Sequence, residues 1–128
     1  MSNSIVVQDR IKNFNKKISV SADKSISIRW VLFSSLADGA SISKNLLISE
    51  DVLAAIKTVR KLGIRVVLYE NTCKIYGNGI SGFMYKKNIT IDAENSGTLG
   101  RLVLGFLINT SHPIKLIGDK SLSKRDFT

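Results

Sequence analysis

Apolar residues recur at helical spacing soon after residue 20. Ile28, Val31, Leu32 and Ser35 fall on one face of a predicted helix over 24–37, with Ser21 or Asp23 available as its cap and Gly39 just past its end. Before it, residues 15–20 alternate polar and apolar as a short strand would, and "SISKNLLI" (41–48) reads as another strand. The clearest helix comes next. Ser49 caps it, Glu50 and Asp51 stand in its first turn, and Val52, Ala55, Ile56 and Val59 form its apolar stripe. Lys57, Arg60 and Lys61 close that helix, and Gly63 terminates it. "IRVVLY" (64–69) and "CKIYG" (73–77) pair as strands across an "ENT" turn. "NITID" (88–92) is a further strand, 96–109 a second apolar helix, and "PIKLIG" (113–118) the last strand.

These elements repeat at a period of about 72 residues. The helix at 24–37 maps onto 96–109, "ISKNL" (42–46) onto "IKLIG" (114–118), and Ser49 onto Ser121. The expected fold class is therefore α/β (α+β), built of strand–helix–strand–helix–hairpin units. The second copy breaks off as its second helix should begin, so the chain reads as the front piece of something larger.

A net charge of +9 favours an anionic partner. The cations are spread thinly, however, and no aromatic platform is interleaved with the one dense cluster, "RIKNFNKK" at 10–17, which argues against nucleic acid. The longest apolar run, at 102–108, is too short to cross a bilayer, and the first ten residues lack the form of a secretory signal. A single cysteine, Cys73, allows no internal disulfide and agrees with a cytosolic setting.

Two helix starts carry the candidate chemistry. Ser25 and Arg29 are four apart and share a helix face; with Lys24 they can surround an anion where unpaired backbone N–H groups point outward. A cation is ill placed there for stability alone, because the helix N-terminus is already positive. On spacing alone, a solvated helix start accounts for these residues equally well. The second start is "ENSGTLGR" (94–101), where Asn95, Ser96 and Thr98 are turn and cap formers and Gly97 permits close approach to the backbone. In the final "SLSKRD", Arg125 or Lys124 can complete a phosphate clamp, or, as a frayed terminus, serve no function. "GNGISG" (77–82) matches a dinucleotide fingerprint by letter, but extended chain follows it where a helix is required, so it reads as a loop. His112 and Cys73 have no partner residues that suggest chemistry, and no residue set has metal-ligand spacing.

"DKSISIR", "NLLISEDV", "NSGTLGR" and "GDKSLSKRD", in this order and spacing, resemble the N-terminal part of the EPSP synthase (3-phosphoshikimate 1-carboxyvinyltransferase) family. The sister UDP-N-acetylglucosamine enolpyruvyl transferases fit less well, having Lys-Asn where this chain has Lys24-Ser25. The resemblance divides the chain into an N-terminal segment, 1–16, and a family portion, 17–128, cut within its second repeat. It implies a lobe of repeated βαβαββ units, and a reaction in which the 5-hydroxyl of shikimate 3-phosphate attacks phosphoenolpyruvate and phosphate leaves. By motif, Lys24 touches both substrates, Ser25 and Arg29 hold shikimate 3-phosphate, and Gly97 and Arg125 bind phosphoenolpyruvate, with Asn95 and Thr98 shaping the loop.

The resemblance implies no metal or cofactor, no nucleic-acid or membrane partner, a cytoplasmic location and a monomer when full length. The family's catalytic acidic residues lie beyond Thr128, so no catalytic residue is expected within this chain, and the missing C-terminal portion becomes its implied partner. A non-catalytic remnant with at most anion binding is the alternative. Ser21-Ala22, Ile28, Glu94 and Asp126 depart from the family pattern, and the last two are expected to weaken anion binding through like-charge repulsion.

Overall fold

Asp23 opens the first helix, α1 (Lys24–Leu36): its carboxylate accepts the Ile26 amide at 2.7 Å, so Asp23, not Ser21, is the cap. The computed structural model describes residues 15, 18–110 and 112–126. The basic cluster at 10–17 and the N-terminal segment 1–16, Asn15 apart, lie outside the described residues, as does part of the strand expected over 15–20. Residues 18–20 adopt no regular structure. Ile28, Val31, Leu32 and Ser35 are buried as the periodicity predicts, while Ile26 and Phe33 remain exposed on the other side of α1.

The next strand, β1, runs over Asp38–Ser43 and not over 41–48. Only residues 41–43 fall within the expected strand; Asp38 and Gly39 carry no strand signal, and pairing with a neighbour decides them. Helix α2 (Glu50–Lys61) has the caps that the sequence indicates, with the Ser49 hydroxyl accepting from Val52 N and Gly63 just past its end. The hairpin of β2 (Arg65–Tyr69) and β3 (Thr72–Asn78) completes an antiparallel sheet in the order β1-β3-β2. Cys73 and Ile75 of β3 point into the core on the side of α1, and Ile42, Lys74 and Val67 share the open face.

Beyond an irregular stretch that contains the glycine-rich loop, β4 (Thr90–Asp92), α3 (Gly97–Phe106) and β5 (Lys115–Ile117) form a βαβ unit with parallel strands, followed by a single 3₁₀ turn at Leu122–Lys124. Helix α3 ends at Phe106, three residues short of the expected limit, and its Phe106 ring meets Phe33 of α1 edge-on at 5.3 Å. The helices α1 and α3 keep the predicted period, but β1 and β5 do not align with it.

One hydroxyl ties α1 to the chain that leads into α2. Ser27 is buried; it donates to Asp23 O at 2.7 Å and accepts from Leu47 N at 3.1 Å. Ser27→Ala leaves the Leu47 amide without its partner and should cost about 1–2 kcal/mol, read as a lower urea midpoint at unchanged m-value.

Candidate functional site

Lys24 is the first residue of α1, and that first turn contains no acidic side chain. Its ammonium instead reaches across to α2, where Nζ lies 2.7 Å from Oδ2 of Asp51. The negative group expected at this helix start is therefore in part internal. Asp51 stands in the first turn of α2, where the helix dipole favours a carboxylate. More than half of the Lys24 side chain stays exposed (54%), so its remaining donors face solvent. Ser25 is half-buried beside it, and Arg29 is exposed one turn on, with no ion pair among the described residues.

The second helix start is built by parallel pairing. The β4–β5 ladder continues past both strands, with Ala93 N donating to Ile117 O and Asp119 N to Glu94 O. That register carries Asp119 to Asn95 at the carboxyl ends of the strands, the edge at which open α/β sheets place ligands. The Asn95 amide donates through Nδ2 to Asp119 Oδ2 at 2.6 Å and accepts through Oδ1 from Arg125 Nη2 at 2.9 Å. Asp119 Oδ1 meanwhile caps the 3₁₀ turn, accepting from Leu122 N at 2.7 Å; Ser121, the residue matched to Ser49, makes no capping bond with its side chain. Ser96 caps α3 by accepting from Leu99 N.

Arg125 lies directly against Gly97. A Cβ at position 97 would stand 2.9 Å from Arg125 Nη1, so glycine leaves the room that the guanidinium occupies. The structure thus brings Asn95, Gly97 and Arg125 together at the α3 N-terminus, with Thr98 half-buried in its first turn. Asp119 is the participant that sequence reading missed. Its signal was an aspartate three residues before the first amide of the terminal turn, a capping pattern.

The amide of Leu122, the Asn95 side chain and Arg125 all favour the ionised form and hold the Asp119 carboxyl below the usual range. Since the folded value lies below the unfolded one of about 3.9, the stabilisation is complete above that pH and is lost as pH falls through the depressed value. In an NMR titration, the Asn95 side-chain amide should hold its position down to about pH 4 and shift only below it.

Helix α2 links the two starts. Asp51 and Lys57 are separated along it by about 9 Å of helix rise, and they hold Lys24 and Glu94 respectively. This alters the expectation for Glu94. Its carboxylate pairs with Lys57 Nζ at 2.9 Å, which offsets the repulsion expected of it toward a bound anion. Its backbone has φ of 51°, a left-handed conformation that glycine adopts more readily and the reason a glycine suits this position. The Asp126 carbonyl accepts from Arg101 Nη2. Ile28 is wholly buried in the core.

The remaining candidates are structural. The Tyr85 hydroxyl donates to His112 O and accepts from His112 N, so the His112 backbone pins the loop before β4. Burial raises the pKa of the Cys73 thiol, the opposite of what a nucleophile needs. Among the described residues no group of three or more His, Cys, Asp or Glu is placed to hold a metal ion, and no helix is long and apolar enough to cross a membrane.

The family model of EPSP synthase (3-phosphoshikimate 1-carboxyvinyltransferase) matches residues 8–126. The chain belongs to the EPSP synthase family. It is 41% identical over 116 residues to the 3-phosphoshikimate 1-carboxyvinyltransferase of Bacillus cytotoxicus, covering 91% of this chain and 27% of that protein. A relative of the same name from Syntrophomonas wolfei is 40% identical over 119 residues, covering 93% of this chain and 28% of that protein. The fold superposes on a solved EPSP synthase from Acinetobacter baumannii with a TM-score of 0.74 and 31% identity, covering 88% of this chain and 26% of that one. Its mixed α/β architecture of three helices and two small sheets thus matches part of an EPSP synthase structure. The chain spans about a quarter of the length of these relatives.

Proposed function

We propose that this chain supplies one side of the substrate cleft of a 3-phosphoshikimate 1-carboxyvinyltransferase, and that its two cationic helix starts hold the two phosphorylated substrates. Lys24, Ser25 and Arg29 bind shikimate 3-phosphate. Lys24 also touches phosphoenolpyruvate, which Gly97 and Arg125 bind, and Asn95 and Thr98 shape that loop. The observation that carries this reading is the Arg125 guanidinium, fixed by Asn95 against Gly97 where free α3 amides point outward. A planar fork beside a helix N-terminus suits a phosphate or carboxylate bidentately.

Substrate binding is all that these residues provide. In the proposed reaction the 5-hydroxyl of shikimate 3-phosphate attacks phosphoenolpyruvate, and inorganic phosphate leaves. The groups that move protons and stabilise the transition state belong to the remainder of the longer relatives. The chain therefore works as a cytoplasmic, cofactor-free partner of that remainder, and as a monomer once joined to it. The matching starts of α1 and α3 support a lobe built of repeated βαβαββ units.

A hybrid tests the proposal: this chain replaces the corresponding segment of the Bacillus cytotoxicus relative, and phosphate release is followed with both substrates. Saturable turnover supports the reading. No turnover from a folded hybrid overturns it in favour of a non-catalytic remnant.

A further inference from the structure

The amide of Asn95 can serve Arg125 in only one of its two orientations. Its oxygen must face the guanidinium, because a guanidinium has donors and no acceptor. The two orientations differ by a flip about one bond, and the neighbouring groups decide between them. On the far side of Asn95 stands Asp119, whose carboxylate can accept but not donate, at 2.6 Å from Asn95 Nδ2. A carboxylate there admits only the NH₂ side of the amide and so turns the oxygen toward Arg125, 2.9 Å away.

Two further contacts hold Asp119 itself in place: its backbone amide donates to Glu94 O at 2.8 Å, and its second carboxylate oxygen accepts from Leu122 N. The carboxylate is thus clamped between the β5 end and the terminal turn, and it stays ionised at neutral pH. We propose that Asp119 is a positioning residue for the phosphoenolpyruvate subsite: it sets the orientation of the Asn95 amide, and through it the place of the Arg125 guanidinium over Gly97. This rests on the reading of Arg125 as a ligand of that substrate.

An exchange of side chains separates this role from a merely structural one. Asp119→Asn keeps the oxygen that caps Leu122 but turns an NH₂ toward the NH₂ of Asn95. To escape two facing donors the Asn95 amide must flip, and its NH₂ then faces Arg125. The second change, Asn95→Asp, restores the chain of contacts with its polarity reversed: the new carboxylate accepts both from the amide introduced at 119 and from Arg125.

In the hybrid enzyme, Asp119→Asn should raise KM for phosphoenolpyruvate roughly ten-fold, the effect of releasing one charge-assisted contact, with KM for shikimate 3-phosphate nearly unchanged. The exchanged pair should recover most of that loss. An unchanged KM for phosphoenolpyruvate in the single variant, or an exchanged pair as impaired as the single, overturns the proposal. The second readout needs no activity. In the isolated chain, Asp119→Asn should shift the Asn95 side-chain amide resonances, and unmoved resonances overturn the proposal too. A wild-type hybrid that never saturates with phosphoenolpyruvate overturns instead the reading of the site, and the amide spectrum then decides the orientation by itself.

Discussion

Gly63→Ala should remove most of the stability of this chain. Gly63 follows the last turn of α2 with φ of 88°, in the left-handed region where an L side chain costs about 1–2 kcal/mol. The added methyl has nowhere to go either. Its Cβ would stand 2.2 Å from the carbonyl oxygen of Met84, a backbone atom held in place because Met84 N donates to Leu62 O at 2.9 Å. Relieving that overlap means breaking the bond or shifting the α2 end, and forced overpacking costs about 1–3 kcal/mol more. Together these approach the lower end of the roughly 5–15 kcal/mol that separates a folded domain from its unfolded state. A urea titration followed by circular dichroism and by the single tryptophan, Trp30, should show the midpoint falling by more than half. A midpoint within experimental error of wild type would show that the Met84 segment yields freely.

Lys24→Ala should cause the largest loss of activity in the hybrid enzyme. In the proposed site Lys24 meets both substrates, and each charge-assisted contact to an anion is worth about 1.5–3 kcal/mol. Losing two of them lowers kcat/KM by a hundred-fold or more, at 1.36 kcal/mol per factor of ten. The fold should hardly notice. The Lys24–Asp51 pair at 2.7 Å is largely open to solvent on the lysine side, and an exposed pair contributes about 0–1 kcal/mol. Steady-state kinetics with each substrate varied in turn, beside a thermal melt, separates the two effects. Near-normal kcat/KM for both substrates would remove Lys24 from the site and leave it as a partner for Asp51 alone.

The two substitutions differ in how far each could be foreseen. Helix α2 is legible residue by residue, because its signals are local: a serine cap, acids in the first turn, bases in the last, and a glycine after it. Each acts within one turn of its own position, so reading it needs no knowledge of any distant part of the chain. The buried face of α1 and its start at Lys24 were readable for the same reason, while its cap stood open between Ser21 and Asp23 and α3 begins one residue after the expected position 96. The family resemblance then attached chemistry to those starts, since four motifs in order constrain far more than any one of them.

Strand β1 shows the limit. The alternation of Ala40-Ser41-Ile42-Ser43 is short and turns its apolar side outward, and DGASIS becomes a strand because β3 offers it a complete ladder from Asp38–Asn78 to Ser43–Cys73. The site has the same limit. Lys24 with Asp51, Glu94 with Lys57 and Asn95 with Asp119 are pairs of residues far apart in the chain. By itself the sequence determined the presence of the three helices, the cap of α2, the buried faces of α1 and α2 and the motifs at the two helix starts. Only the tertiary structure decided which distant residue faces each of Lys24, Glu94 and Asn95. A contact between distant residues depends on strand register and helix packing, and neither leaves a mark in the local pattern of the chain.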